Sequence, residues 1–196
     1  VAVDPGIRNF GTYLSTDGRF GWVGQMAFER VLKLNIRIDK LRSVISTTED
    51  KQKRLRLRRT INRLYHKIQD LVDELQWKFI NFLTKEFSVV IFPPFNVSEM
   101  VKISGRKIRK VVVRSMMALR FYVFKKRLKN KCKERHVLFI EQNESWTSKT
   151  NSFNGEVMTN LGSREFFSYQ GFRINRDLNG SRNILLRAMR DSSADS

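Results

Sequence analysis

At 196 residues the chain is long enough for one well-formed core with a small appendage, and 41% hydrophobic residues with 15 Phe and 3 Trp exclude a disordered basic tail. A net charge of +19 points to a polyanion as partner, with nucleic acid ahead of a membrane surface. One Cys, Cys132, and 2 His exclude an internal disulfide and a Cys-rich zinc site, and no apolar run reaches transmembrane length.

Residues 1–24, VAVDPGIRNFGTYLSTDGRFGWVG, alternate apolar and polar side chains around Gly6 and the Asp17-Gly18 pair, which predicts a three-strand antiparallel meander. Residues 26–46 are helix-prone, and 46–54 read as a polar hinge. Leu57, Ile61, Leu64, Ile68, Leu71 and Leu75 then step by threes and fours, the mark of a long helix with one apolar face. Arg54, Arg56, Arg58, Arg59 and Arg63 load its first half. A solvated charged face is the plain alternative, but so many arginines among so few acids favour a phosphate-facing helix.

The segment 88–94, SVVIFPP, reads as a short strand buried on both faces of a central sheet. A basic loop with Arg106, Lys107 and Arg109 follows, and 111–135 predict a single helix with an aliphatic and aromatic core face. Residues 136–143 form a strand that stays apolar until Glu141, 145–172 are loop-rich, and 175–190 close as a helix before a frayed tail. Three strands, helix, strand, helix, strand, helix is the α/β element order of the RNase H-like fold, a mixed central sheet whose meander is followed by crossover helices. Crossovers of this kind put the later strands beside the first, and ligands sit at the ends of the central strands.

Asp4 ends the first strand and precedes Pro5-Gly6, so its carboxylate is presented at a strand tip. Taken alone it reads as a turn-forming Asp. Asp177, in NRDLNG at the start of the last helix, alone reads as an N-cap or first-turn acid. Two acids on one sheet edge change that reading, because two-metal phosphodiester cleavage needs carboxylates that hold ions roughly 3.5–4 Å apart.

VAVDPGIRNFGTYLSTDG resembles the first motif of RuvC-like nucleases of the TnpB and Fanzor group, and KQKRLRLRRTINRLYHKI resembles their basic bridging helix. FNVSEMVKISGRKIRKVVVRSMMALRFYVFKKRL, ESWTSKTNSFNG and NRDLNGSRNIL resemble the Fanzor versions of the later segments, so the resemblance covers nearly the whole chain. It implies a RuvC nuclease domain that cuts DNA under RNA guidance, with Mg2+ as cofactor (two ions, Mn2+ able to substitute). The implied partners are a guide RNA (omega RNA), target DNA and further N-terminal domains of the same protein. The nucleus is the implied site of action. In TnpB-like chains the second catalytic acid stands at the position of Pro93. Fanzors are similar to this chain in lacking it there and carry a Glu just ahead of the TSKT segment, which matches Glu144. Adjacent strands lie about 4.8 Å apart, so an acid on a neighbouring strand tip can serve the same ion. The catalytic and metal set implied is therefore Asp4, Glu144 and Asp177. Glu141 is the rival for the middle place, because alternation along VLFIEQNE puts Glu141 and Glu144 on opposite faces and pattern alone does not choose.

The family's two CxxC pairs should fall at Asn151 and Asn154 and at Phe167 and Gln170, and all four ligands are missing, so no zinc is expected. The resulting division is a nuclease core over 1–150, a degenerate zinc-ribbon-like insertion over 151–173, and the third-motif helix and tail over 174–196. Phe153, Phe166, Phe167 and Tyr169 are expected to form a mini-core in the insertion, with base stacking as the alternative. Arg54, Arg56, Arg58, Arg59, Arg63, Arg106, Lys107 and Arg109 are expected to contact phosphates. A different class of function stays open: a domesticated relative that binds nucleic acid and no longer cuts.

Overall fold

The computed structural model describes residues 1–94, 109–142, 149–158 and 165–194. The meander forms as the alternation predicts, with β1 (Ala2–Pro5), β2 (Gly11–Leu14) and β3 (Phe20–Val23) paired antiparallel in turn. Two helices follow, α1 (Ala27–Thr47) and α2 (Lys51–Glu86). The polar hinge between them is three residues long and ends at Asp50, whose carboxylate accepts from the N–H of Gln52 at 2.8 Å and of Lys53 at 3.2 Å and so starts α2. β4 (Val89–Phe92) then lies parallel to β1. After α3 (Lys110–Ala118) and α4 (Phe121–Glu134), β5 (Leu138–Glu141) lies parallel to β4. The sheet is mixed, in the order β3-β2-β1-β4-β5, so of the later strands β4 lies beside the first and β5 beside β4. A hairpin of β6 (Phe166–Tyr169) and β7 (Phe172–Asn175) leads into α5 (Arg176–Ala194).

Strand alternation gives the sheet two distinct faces. Val3, Val90, Phe92 and Phe139 face a core built with α1 to α4. Ala2, Leu14, Val89, Ile91 and Ile140 face the other way, onto Ile184, Leu185 and Ala188 of α5. Near the ends of β1 and β4 the first core is aromatic: Phe10 stacks on Phe121 at 4.8 Å, and Phe124 stands 5.6 Å from both Phe79 and Phe92. Such ring pairs add to simple area burial and fix the start of α4 against this edge of the sheet.

Two elements differ from the sequence reading. The single helix expected over 111–135 is two helices, broken at Leu119 and Arg120, and Arg120 takes the left-handed conformation with φ 51°. The break is held from α2. Gln76 Nε2 donates to the carbonyls of Leu119 at 2.9 Å and Arg120 at 3.3 Å, and the guanidiniums of Arg120 and Arg127 both pair with Asp73. The loop expected over 145–172 contains β6, and β7 continues to Asn175; Gln170 and Gly171 join them with φ 47° and 84°. Positive φ at both central residues is the two-residue turn whose twist suits a hairpin, and glycine in the second place makes it cheap.

Candidate active site

Asp4 lies at the C-terminal end of β1, on the α5 face, because it follows Ala2 by two residues. Its carboxylate rests on the backbone of α5 at Gly180. A Cβ placed on Gly180 would stand 2.4 Å from Asp4 Oδ2 and 3.1 Å from its Cγ. Asp177 occupies the first turn of the same helix, three residues earlier, and residues at that spacing are neighbours on one helix face, with Cβ atoms about 5–6 Å apart. The structure therefore brings Asp4 and Asp177 to one edge of the sheet. Asn175, not Asp177, caps the helix, its Oδ1 accepting from Asp177 N at 3.0 Å. The Asp177 side chain is left to other work. Its Oδ2 accepts from Asn9 Nδ2 at 2.8 Å, a bond that reaches across from the turn between β1 and β2.

The first turns of α5 are held by further polar ties. Buried Ser181 donates through Oγ to the carbonyl of Thr12 at 2.9 Å. Buried Asn179 accepts from Ser152 N at 2.9 Å and donates to the carbonyl of Thr150 at 2.8 Å. Arg182 Nη1 reaches the Ser152 carbonyl at 2.5 Å and stands over the Phe153 ring at 5.2 Å. Hydrogen-bonded buried amides and hydroxyls of this kind fix a helix in register as well as in depth.

Glu141 ends β5 on the face opposite to Asp4. It is exposed, and its carboxylate pairs with Lys125 of α4. Gln142, the next residue, turns to the α5 side, where it is buried and donates through Nε2 to Asp191 at 2.8 Å. That bond, with Arg190 beside it, holds the Asp191 carboxyl below its ordinary value. Pro93 is buried directly after β4, two residues beyond Ile91, so alternation places position 93 on the α5 face with Asp4. Glu144 lies outside the described residues, as do Arg106 and Lys107.

At the four positions where a zinc ribbon would carry cysteines, other contacts stand. Asn151 is buried; its Oδ1 accepts from Phe153 N at 3.1 Å and its Nδ2 donates to the Ser168 carbonyl at 3.4 Å. Asn154 Oδ1 accepts from Glu156 N at 3.1 Å. Phe167 is buried, whereas Phe166 and Tyr169 are exposed, with Arg173 lying 3.9 Å over the Phe166 ring. Phe153 pairs with Phe172 at 6.3 Å. Of the expected mini-core, only Phe167 is buried.

Arg56, Arg58, Arg59 and Arg63 are exposed on the outer half of α2 and Arg54 is half-buried; none forms an ion pair among the described residues. Arg109 is exposed at the N-cap of α3. These residues do not join Asp4, since α2 packs on the face of the sheet away from α5. Sequence reasoning missed Asn9 and Gly180. An isolated Gly one turn into a helix was the available signal, since it costs about 1 kcal/mol against Ala and marks a close approach. Nothing in the sequence flags Asn9.

Residues 121–184 match the family model Cas12f1-like, TNB domain. A candidate transposase of Paramecium bursaria Chlorella virus 1 is 30% identical over 188 residues, covering 95% of this chain and 43% of its own length. The chain is thus similar to TnpB-like proteins over most of its length and to the Cas12f1-like model over its last third. A TnpB-like protein of Acanthamoeba polyphaga mimivirus is 22% identical over 93% of the chain and 36% of its own length. The chain thus spans less than half the length of these two viral proteins. A cryo-EM structure of a Cas12f1–sgRNA–target DNA complex shares the fold, with TM-score 0.57, 15% identity, and coverage of 93% of this chain and 48% of the Cas12f1 chain.

Proposed function

We propose that the chain is the RuvC-type nuclease portion of a Fanzor-like, RNA-guided DNA endonuclease that acts in the nucleus, with guide RNA and target DNA as partners. The observation that carries this reading is the convergence of Asp4 and Asp177 on one sheet edge, at the C-terminal end of β1, with Asp4 resting on Gly180. Kinship with TnpB-like proteins and the basic composition support it. The residues fit Mg2+: two carboxylates lie at one end of the sheet, Asp4 against Gly180 and Asp177 three residues earlier on the same helix, and hard oxygen ligands suit that ion. Asp4, Asp177 and, from outside the described residues, Glu144 would hold it. Among the described residues no group of three His, Cys, Asp or Glu could hold a metal ion, and Glu144 lies outside them. Bound Mg2+ supplies Lewis-acid activation of water and stabilisation of the leaving oxygen. The chain's own part is to hold the two aspartates rigidly, Asp4 by the sheet and Asp177 by the Asn9 bond and the polar ties of α5.

Glu141, on the other face and paired with Lys125, takes no part in this reading. The test is cleavage of guide-matched DNA by the full-length protein. Asp4→Ala, Glu144→Ala and Asp177→Ala each abolish cutting while nucleic-acid binding persists, and Glu141→Ala cuts nearly as well as wild type. If Glu144→Ala cuts at the wild-type rate while Glu141→Ala does not, this assignment fails. If no variant differs because the wild type neither cuts nor binds Mn2+, the binding-only alternative takes its place.

A further inference from the structure

Helix α4 carries six basic residues and one acid. Three of the six have partners: Lys125 pairs with Glu141, Arg127 with Asp73, and Lys131 with Glu134. Lys126, Lys129 and Lys133 form no ion pair among the described residues and are all exposed. At about 100° per residue these three fall on one line with Tyr122, all four within about 60° of arc. Tyr122 is 77% exposed, more than any other large hydrophobic residue described. The row runs about 16 Å along the helix.

Its placement is as telling as its spacing. Tyr122 follows Phe121, which stacks on Phe10 just before β2, and Phe124 stands against Phe92 at the end of β4. The head of the row is therefore at the sheet edge where Asp4 and Asp177 meet, and the lysines descend from it on the face away from α5. An exposed ring offers a face for stacking only to a base that is not already stacked in a duplex, and a single line of cations follows one backbone.

The geometry points to α4 as a binding surface for single-stranded nucleic acid: Tyr122 stacks a base at the edge, and Lys126, Lys129 and Lys133 track the phosphates of the strand leading away. This rests on the nucleic-acid-handling reading above and adds to it a surface distinct from the arginines of α2. The test is binding of a labelled single-stranded oligonucleotide by the full chain, without divalent ions, across a range of salt. With Lys126→Gln, Lys129→Gln and Lys133→Gln combined, the slope of log affinity against log salt becomes shallower by about 2, since each single-strand phosphate contact contributes about 0.7. The corresponding three Lys→Arg changes keep the slope, which separates lost charge from a damaged helix. Tyr122→Ala weakens binding about tenfold at every salt with the slope unchanged. An unchanged slope in the Gln variant overturns the proposal, and so does an equal loss of affinity for a blunt duplex. The nuclease reading fails separately, through an Asp4→Ala protein that still cuts.

Discussion

Replacing Gly180 by Ala separates the geometry of the site from the stability of the fold. The new Cβ would lie 2.4 Å from Asp4 Oδ2, where van der Waals contact begins near 3.4 Å, so the carboxylate must retreat by about 1 Å. It cannot do so by a small rotamer drift alone, because Cγ is also too close, at 3.1 Å. The helix gains from the change, since Ala is favoured over Gly by about 1 kcal/mol in a helix interior, and that gain offsets much of the local strain. The expected result is a melting temperature close to that of the wild type. Misplacing a reacting group by 1 Å costs on the order of a hundredfold in rate, equivalent to about 2.7 kcal/mol of barrier. The assay is single-turnover cleavage in Mg2+ beside a thermal melt of the same protein. Cleavage within about twofold of wild type would refute the reasoning, because either Asp4 does not rest on Gly180 or its position does not matter to the chemistry.

Asn9→Ala removes the amide that holds Asp177 Oδ2, and affinity for Mn2+ is expected to fall 10–100-fold, as for other partners that orient a metal ligand; calorimetry with unchanged affinity would count against it. Burial pushes the Cys132 thiol up to about 11, so iodoacetamide should leave it untouched in the native protein and modify it fully in denaturant. The Ser15 hydroxyl and the backbone and side chain of Arg19 hold the Asp17 carboxyl at about 2 rather than 3.8. A depressed folded-state value stabilises the fold above the unfolded value and is lost as pH falls through the folded one. The stability difference between wild type and Asp17→Asn is thus present at neutral pH and closes between about pH 4 and 2, and a difference that persists below pH 2 in acid-unfolding curves would contradict this.

Local pattern made much of the fold legible. The alternation of 1–24 and the spacing of Ile61, Leu64 and Ile68 describe β1 to β3 and α2 because each element buries one face. The division of α3 from α4 was not legible, because the left-handed Arg120 is stabilised by Gln76 and Asp73, more than forty residues away in sequence. The hairpin of β6 and β7 was readable in Gln170-Gly171, but the surrounding polar turns mask it. The places of Asp4 and Asp177 at a strand end and a helix start were legible, although each alone reads as a turn or helix-start acid and only the family resemblance implies a shared role. Asn9 was not legible, since its bond to Asp177 spans 168 residues and leaves no periodic trace. Pattern alone did not choose between Glu141 and Glu144; the Lys125 pair shows Glu141 on the face away from α5, and Glu144 lies outside the described residues.

The contacts at Asp73 and Gln76 give α2 a mechanical character. Its 36 residues make a rod about 54 Å long, and its buried side chains begin only at Ile61. The outer end, with Arg54, Arg56, Arg58 and Arg59, is a cantilever whose arm to Asp73 is about 28 Å. A load applied there acts as a torque on the inner half, where Gln76 and Asp73 grip the joint between α3 and α4 through directional bonds beside the apolar contact of Phe79 with Phe124. Directional bonds resist small deflections stiffly and release at large ones. The joint at Arg120 accordingly links the basic rod to the sheet edge that carries Asp4 through bonds that depend on angle as well as through packing.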